Sequence, residues 1–278
     1  MSKFFISGTL LVCAALVGCQ QRPPANDQLD AVLWTQTSIE HELIYRQVFD
    51  SATRQLDVAL ADPKWDALAQ PPRDLTGLPP AVIVDIDETL LDNIPLNARD
   101  IRNNEIYSYD RWNVWVDEAK AQALPGAVGF LQAATQRGVK VYYLTNREHS
   151  QVAATVKNLR LRGFPVSDSQ QVLAAATPTG GCEKDGYGKT CRRQWVASHA
   201  RVLMLVGDSF GDFVQAGGNN LAAQRKAAEP YLSWLGQRWF LLPNPTYGKW
   251  YSAPYGDQED LPMTRKRELK QQALDLQQ

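Results

Sequence analysis

Two aspartates one residue apart, Asp85 and Asp87, follow directly on the apolar run Ala81-Val82-Ile83-Val84. So spaced at a strand end, such a pair can divide a reaction. The first carboxylate faces an electrophilic phosphorus, and the second exchanges protons with the oxygen that leaves. An ionised carboxylate is a competent nucleophile for covalent phosphoryl transfer, but a phosphate ester is itself anionic and is repelled unless a cation intervenes. Mg2+ meets that need because it takes oxygen ligands and keeps several waters. Asp85, the backbone carbonyl of Asp87 and Asp208 offer oxygens of that kind.

An Asp-x-Asp-x-Thr stretch is by itself equally compatible with a turn and a helix cap, so the surrounding elements decide. Three further apolar runs, at 139–144, 202–206 and 238–242, read as buried strands. Helical stretches lie between them near 126–137, 149–162, 190–199 and 222–236. This alternation predicts an α/β fold with a doubly wound parallel sheet covered by helices on both faces. Sites in such sheets lie beyond the carboxyl ends of the strands. Polar residues stand there three times: Asp85-Ile86-Asp87-Glu88-Thr89 after Val84, Thr145-Asn146-Arg147 after Leu144, and Gly207-Asp208-Ser209-Phe210-Gly211-Asp212 after Val206. Thr145-Asn146 is also a plausible N-cap for the helix beginning near His149.

Apolar residues from Asp27 onward recur at roughly helical spacing and predict two helices, near 27–50 and 50–61, before a proline-rich loop from Pro71 to Pro80. Residues 93–124 are aromatic and charged without a strong period, and are expected to form an insertion over the mouth of the site. There is no internal repeat and no low-complexity tract. The expected organisation is one domain over 27–278, with helical and cap elements at about 27–78 and 94–124.

Together, Asp85-Ile86-Asp87-Glu88-Thr89-Leu90-Leu91-Asp92-Asn93, Thr145-Asn146-Arg147 and Gly207-Asp208-Ser209-Phe210-Gly211-Asp212-Phe213 resemble the signature motifs of the haloacid-dehalogenase-like superfamily. They resemble in particular its class C bacterial acid phosphatases, which include lipoprotein 5′-nucleotidases. The resemblance extends to the Trp34 helix and to Leu242-Pro243-Asn244-Pro245-Thr246-Tyr247-Gly248-Lys249-Trp250, and so covers nearly the whole chain after the leader. It implies a Rossmannoid core with an N-terminal helical extension and a small cap. Asp85 would be the nucleophile, forming an aspartyl-phosphate. Asp87 would be the acid and then the base. Thr145, with Asn146 beside it, would bind the transferring phosphoryl group. Asp85, Asp87 and Asp208 would hold Mg2+, and Asp212 would hold its waters. The family also requires a lysine that neutralises the phosphoryl oxygens. Lys189, opening Lys189-Thr190-Cys191-Arg192-Arg193, is the expected residue and Lys184 the alternative. The crowding of acids implies that they titrate as a unit, with activity favoured at mildly acidic pH.

The N-terminus carries an apolar run from Phe4 to Val17 that reads as a secretion signal over 1–18, too short to span a bilayer. Leu16-Val17-Gly18-Cys19 resembles the lipobox of bacterial lipoproteins, followed by a polar tether over 19–26. Diacylation of Cys19 is therefore expected, and Gln20 after it implies the outer membrane, periplasmic or surface-exposed. Cys182 and Cys191 then remain in an oxidising compartment, where a disulfide is expected. A structural zinc site is the alternative, with only three histidines in the chain to complete it.

A formal net charge of -1 gives no electrostatic grip on a nucleic acid polymer. The resemblance implies instead a small phosphomonoester as partner. Trp112, Trp115 and Tyr247 could stack an aromatic leaving group, or simply pack, and relatives of the resembled class suggest such a clamp, which favours nucleoside 5′-monophosphates. A cofactor or sugar phosphate is the alternative substrate, and a ligand-binding surface lipoprotein without turnover is the alternative function. The histidines form no constellation, and His41 and His199 read as solvated helix residues. The charged segment 265–270 reads as a solvated C-terminal helix.

Overall fold

The structure is a computed structural model that describes residues 26–69 and 73–277. The leader, the lipobox and the first residues of the tether, and with them the expectations about Cys19, lie outside the described residues.

Five strands form the main sheet: β1 (Pro80–Val84), β4 (Lys140–Glu148), β5 (Val172–Ala175), β6 (Arg201–Gly207) and β7 (Trp239–Leu241). All are parallel, in the order β5-β4-β1-β6-β7. The chain therefore winds outward in both directions from β1, and the carboxyl ends of β1, β4 and β6 meet at that switch point. Alternate residues of β1 serve two cores. Val82 and Val84 pack on one face with α2 (Ile39–Ala61), α5 (Ala127–Gln136) and α6 (Val152–Leu161), while Ala81 and Ile83 pack on the other with α7 (Thr190–His199). Such double burial explains why these strands are continuously apolar rather than alternating. Between Ala81 and Val82 the pairing on β6 skips Leu203, and the displaced carbonyl accepts a bond of 2.8 Å from the Trp65 indole.

The expected doubly wound sheet is present, with three differences. β5 was not anticipated. The N-terminal helices divide at Ser38 rather than near residue 50, giving α1 (Leu29–Thr37) and α2, because the extended Ser38 caps α2 by accepting from the His41 amide at 3.2 Å. His41 is consequently not solvated. It is buried between the rings of Trp34 and Tyr45, and burial lowers its pKa.

The insertion contains α3 (Ile94–Arg102) and α4 (Tyr109–Glu118), and a two-stranded antiparallel ribbon of β2 (Leu91–Asp92) and β3 (Gln122–Ala123) closes its base. Beyond β6 come α8 (Leu221–Ala228), α9 (Lys249–Ser252) and α10 (Met263–Gln272). The last is only partly solvated. Lys266 is buried against Glu259, and Arg267 and Lys270 lie at 3.4 Å from Asp27. No helix among the described residues is long and apolar enough to cross a membrane.

Candidate active site

The turn after β1 sets the two leading aspartates. The Asp85 amide donates to the Val206 carbonyl at 2.9 Å, prolonging the sheet by one residue, and the Ile86 carbonyl then accepts from the amides of Leu90 and Leu91 at 2.8 and 2.9 Å. So tight a reversal places Glu88 at φ +54°, a left-handed conformation that costs a non-glycine residue about 1 kcal/mol. The site holds it there. The Asn93 amide donates to Glu88 Oε1 at 2.7 Å, the Tyr247 hydroxyl donates to Oε2, and the Tyr45 hydroxyl donates to the Glu88 carbonyl. Burial, followed by repulsion from Asp87, pushes the Glu88 carboxyl up to about 8.

On one side of this turn, carboxylate oxygens of Asp85, Asp208 and Asp212 lie within 4.8 Å of one another. Lys189 Nζ, at the N-terminal boundary of α7, bonds Asp85 Oδ1 and lies 2.7 Å from Asp212 Oδ1. Thr89 Oγ1 stands 3.3 Å from Asp85 Oδ2 and 3.1 Å from Asp208 Oδ1, and its single proton can serve only one of them. Asn244 donates to Asp208 Oδ2 at 2.9 Å, and the Ser209 amide donates to Asp212 Oδ2 at 3.0 Å. Gly207 is required here, since a Cβ at that position would collide with the Asp212 carboxylate.

Asp85 and Lys189 are each only 7% exposed. Burial pushes the Asp85 carboxyl well up, Lys189 opposes that push, and the Asp212, Asp208 and Asp87 charges add to it. Asp208 is pushed up to about 7, by burial first and by Asp212 second. Burial works against the Lys189 ammonium, but Asp212 and Asp85 outweigh it and raise its pKa. Three carboxylates against one ammonium leave a formal charge of -2. That excess, on oxygens of hard-ligand type at this spacing, fits one divalent cation held by Asp85, Asp208 and Asp212.

Asp87 turns its side chain to the other side. Its Oδ1 accepts from Asn93 Nδ2 at 2.9 Å and from Arg147 Nε and Nη2 at 3.0 and 2.8 Å, while its Oδ2 accepts from Thr145 Oγ1 at 3.1 Å. Its carboxylate is thus in a different subsite from that of Asp85, and any metal contact from Asp87 has to come from its backbone. Thr145 and Arg147 both lie within β4, so Thr145 caps no helix. Glu148 caps the turn that leads into α6, with its amide donating to Gln151 Oε1 at 2.9 Å.

Arg147 joins the site as a residue with no expected role of its own. The signal was available, because side chains two apart on a strand share a face, so Arg147 had to point where Thr145 points. Asn146, on the opposite face, accepts from Arg192 Nη2 at 3.2 Å. The buried Arg192 also donates to the carbonyls of Thr145, Leu173 and Gly188, tying the end of β4 to the loop that carries Lys189. The disulfide that closes this loop is present, with Cys182 and Cys191 bridged at a Cα separation of 5.5 Å, so the zinc alternative falls.

Of the three aromatic candidates, Trp115 is 4% exposed, packs in the core and donates its indole N–H to Asn93 Oδ1 at 2.8 Å. It is a structural residue with no ring face for a ligand. Trp112 is half-buried with the Arg147 guanidinium 5.4 Å from its ring centre. Tyr247 anchors its hydroxyl on Glu88 while the residue stays 39% exposed.

Comparison with known proteins places the chain in a family. The curated relatives include acid phosphatase 1 of Solanum lycopersicum, 27% identical over 165 residues, or 59% of this chain and 57% of that one. A stem 31 kDa glycoprotein of Glycine max is 26% identical over 59% of this chain and 58% of its own length. The chain thus spans less than three fifths of either. The class C acid phosphatase of Bacillus anthracis superposes with a TM-score of 0.79 at 31% identity, over 90% of this chain and 98% of that one. Its tungstate-bound form gives 0.78 at 30% identity. The family described as HAD superfamily, subfamily IIIB (acid phosphatase), matches residues 21–250. With that match over most of its length, the chain belongs to the subfamily IIIB acid phosphatases of the HAD superfamily.

Proposed function

We propose that this protein hydrolyses phosphomonoesters through a phosphorylated Asp85, with Mg2+ as its cation. The observation that carries the reading is the division of labour between the two aspartates. Asp85 sits among Lys189, Asp208 and Asp212, whereas Asp87 is held two residues on by Thr145, Asn93 and Arg147. Tungstate bound in the Bacillus anthracis relative supports it, since a tetrahedral oxyanion resembles phosphate.

An Asp85 carboxylate oxygen attacks phosphorus, the bond to the ester oxygen breaks, and that oxygen takes the proton carried by Asp87 Oδ2. Water then attacks the aspartyl-phosphate and gives its proton back to Asp87. The phosphorus–Asp85 bond breaks, and both carboxyls return to their starting state. Lys189 and Thr145 stabilise the phosphoryl oxygens as charge builds on them. A bound divalent cation would supply the neutralisation that lets an anionic ester approach Asp85.

Nucleoside 5′-monophosphates are the proposed substrates, on the strength of the partly exposed rings of Trp112 and Tyr247. With Mg2+ present, purine and pyrimidine 5′-monophosphates should be hydrolysed with at least about tenfold higher kcat/KM than glycerol phosphate, the worth of one stacking contact. Equal rates would remove the nucleotide assignment while leaving the phosphatase. Absence of phosphate release from every ester would favour a binding lipoprotein instead.

The N-terminal motif supports attachment to the outer membrane by diacylation at Cys19. Labelled palmitate fed to expressing cells should enter the wild-type protein and not Cys19→Ser. Equal label in both would reject the anchor.

A further inference from the structure

We infer that Arg147 is a positioning residue for proton transfer: it fixes Asp87 by one oxygen so that the other is left to meet the leaving group. The inference rests on the phosphatase reading above and adds a residue and an atom to it.

The two oxygens of Asp87 have different surroundings. Oδ1 accepts three bonds, two from the Arg147 fork and one from Asn93, which fills the directions in which a carboxylate oxygen takes donors. Oδ2 accepts from Thr145 Oγ1 alone among the described residues. Oδ2 is therefore the oxygen left to face the ester oxygen. The fork itself is immobilised. Arg147 is 2% exposed, its Nη1 donates to Thr155 Oγ1 at 3.1 Å, its Nη2 also lies 3.4 Å from Asn93 Oδ1, and the Trp112 ring covers it. Asn93 is oriented in turn by the Trp115 indole. The two tryptophans of α4 thus act on Asp87 through Arg147 and Asn93, which connects the insertion to the acid.

A planar guanidinium aims Nε and Nη2 together at one oxygen from a rigid fork, and a lysine ammonium does not fix that direction. In Arg147→Lys the charge survives but the orientation of Asp87 is lost. The penalty must then depend on how much the leaving oxygen needs a proton. General acid catalysis contributes about 10²- to 10⁴-fold where it is needed, and it matters little for a nitrophenolate, which departs as a stable anion.

The test is a leaving-group series from 4-nitrophenyl phosphate through phenyl phosphate to an alkyl monophosphate, measured with Mg2+. For Arg147→Lys we expect kcat/KM to fall about 100-fold or more on the alkyl ester and less than about tenfold on the nitrophenyl ester. Thr155→Val, which removes only an anchor of Arg147, should steepen the series in the same direction by a smaller factor. That variant keeps the test informative should Arg147→Lys fold poorly. In an Asp87→Asn background, Arg147→Lys should add no further leaving-group dependence. An equal loss across the whole series would mean that Arg147 grips the phosphoryl group itself, and would overturn the inference. Wild-type protein inert on every ester would instead reject the underlying phosphatase reading.

Discussion

Asp85→Asn is expected to lower phosphate release by about 10⁴-fold or more, the scale at which loss of a covalent nucleophile is felt. The amide is close to isosteric, but it has no anionic oxygen to attack phosphorus, and neither Asp208 nor Asp87 can take over. Asp208 is bonded to Asn244 and Thr89, and Asp87 is pinned by Oδ1 to Arg147. Folding should survive. The substitution removes one of three crowded carboxylates, so the cluster's formal charge falls from -2 to -1 while Lys189 keeps Asp212. Thermal melting and phosphate release, measured on one preparation, check both statements. A variant that melts with wild type and still releases phosphate at a tenth of its rate would remove Asp85 from the mechanism.

Lys189→Met is expected to cost activity and stability together. Losing the cation that meets the phosphoryl oxygens should cost about 10²- to 10³-fold in kcat. The stability effect follows from what is left behind, since the buried Asp85 and Asp212 remain beside Asp208 with no ammonium, a change of the kind that costs about 3–5 kcal/mol. Its pH dependence has a definite sign. Asp208 already titrates at about 7 in the folded protein against 3.8 unfolded, and Asp85 is raised as well. The folded state therefore keeps protons that the unfolded state gives up. Stability from this cluster is greatest below the unfolded value near 4 and falls as pH rises through the folded value near 7. Removing Lys189 raises the carboxyls further, so the melting temperature of Lys189→Met in chelator should fall below wild type by much more at pH 8 than at pH 5. Mg2+ should recover part of that loss. A deficit that is constant with pH would show that Lys189 contributes packing rather than charge.

Much of this site is legible in the sequence, because strand ends in a parallel sheet announce themselves. A buried strand is an unbroken apolar run, and the polar residue that ends it is therefore conspicuous. Asp85, Thr145 and Asp208 were found that way and lie at neighbouring strand ends. Lys189 was found only through family resemblance, since nothing in the loop from Gly180 to Gly188 fixes which lysine faces inward. Arg192, two turns of sequence logic away, shows why: its donors reach β4, β5 and the loop, contacts with no local pattern. β5 escaped because four residues are too few to show a period. The break at Ser38 escaped because apolar residues continue across it, and only the cap reveals a new helix. Arg147 and His41 share a different cause. A charged or polar residue reads as solvated by default, and its burial depends on partners far along the chain, Asp87 for one and Trp34 with Tyr45 for the other. Trp115 is the converse, an aromatic that suggested a ligand and instead supports Asn93.

If phosphate passes through a bond to Asp85, rapid acid quenching during turnover, reduction of any acyl-phosphate with borohydride and peptide mass analysis will read that bond. Homoserine is expected in place of aspartate at position 85 and at no other acid, appearing only with both ester and Mg2+. Steady turnover with position 85 unreduced, or reduction at another carboxylate, would contradict it.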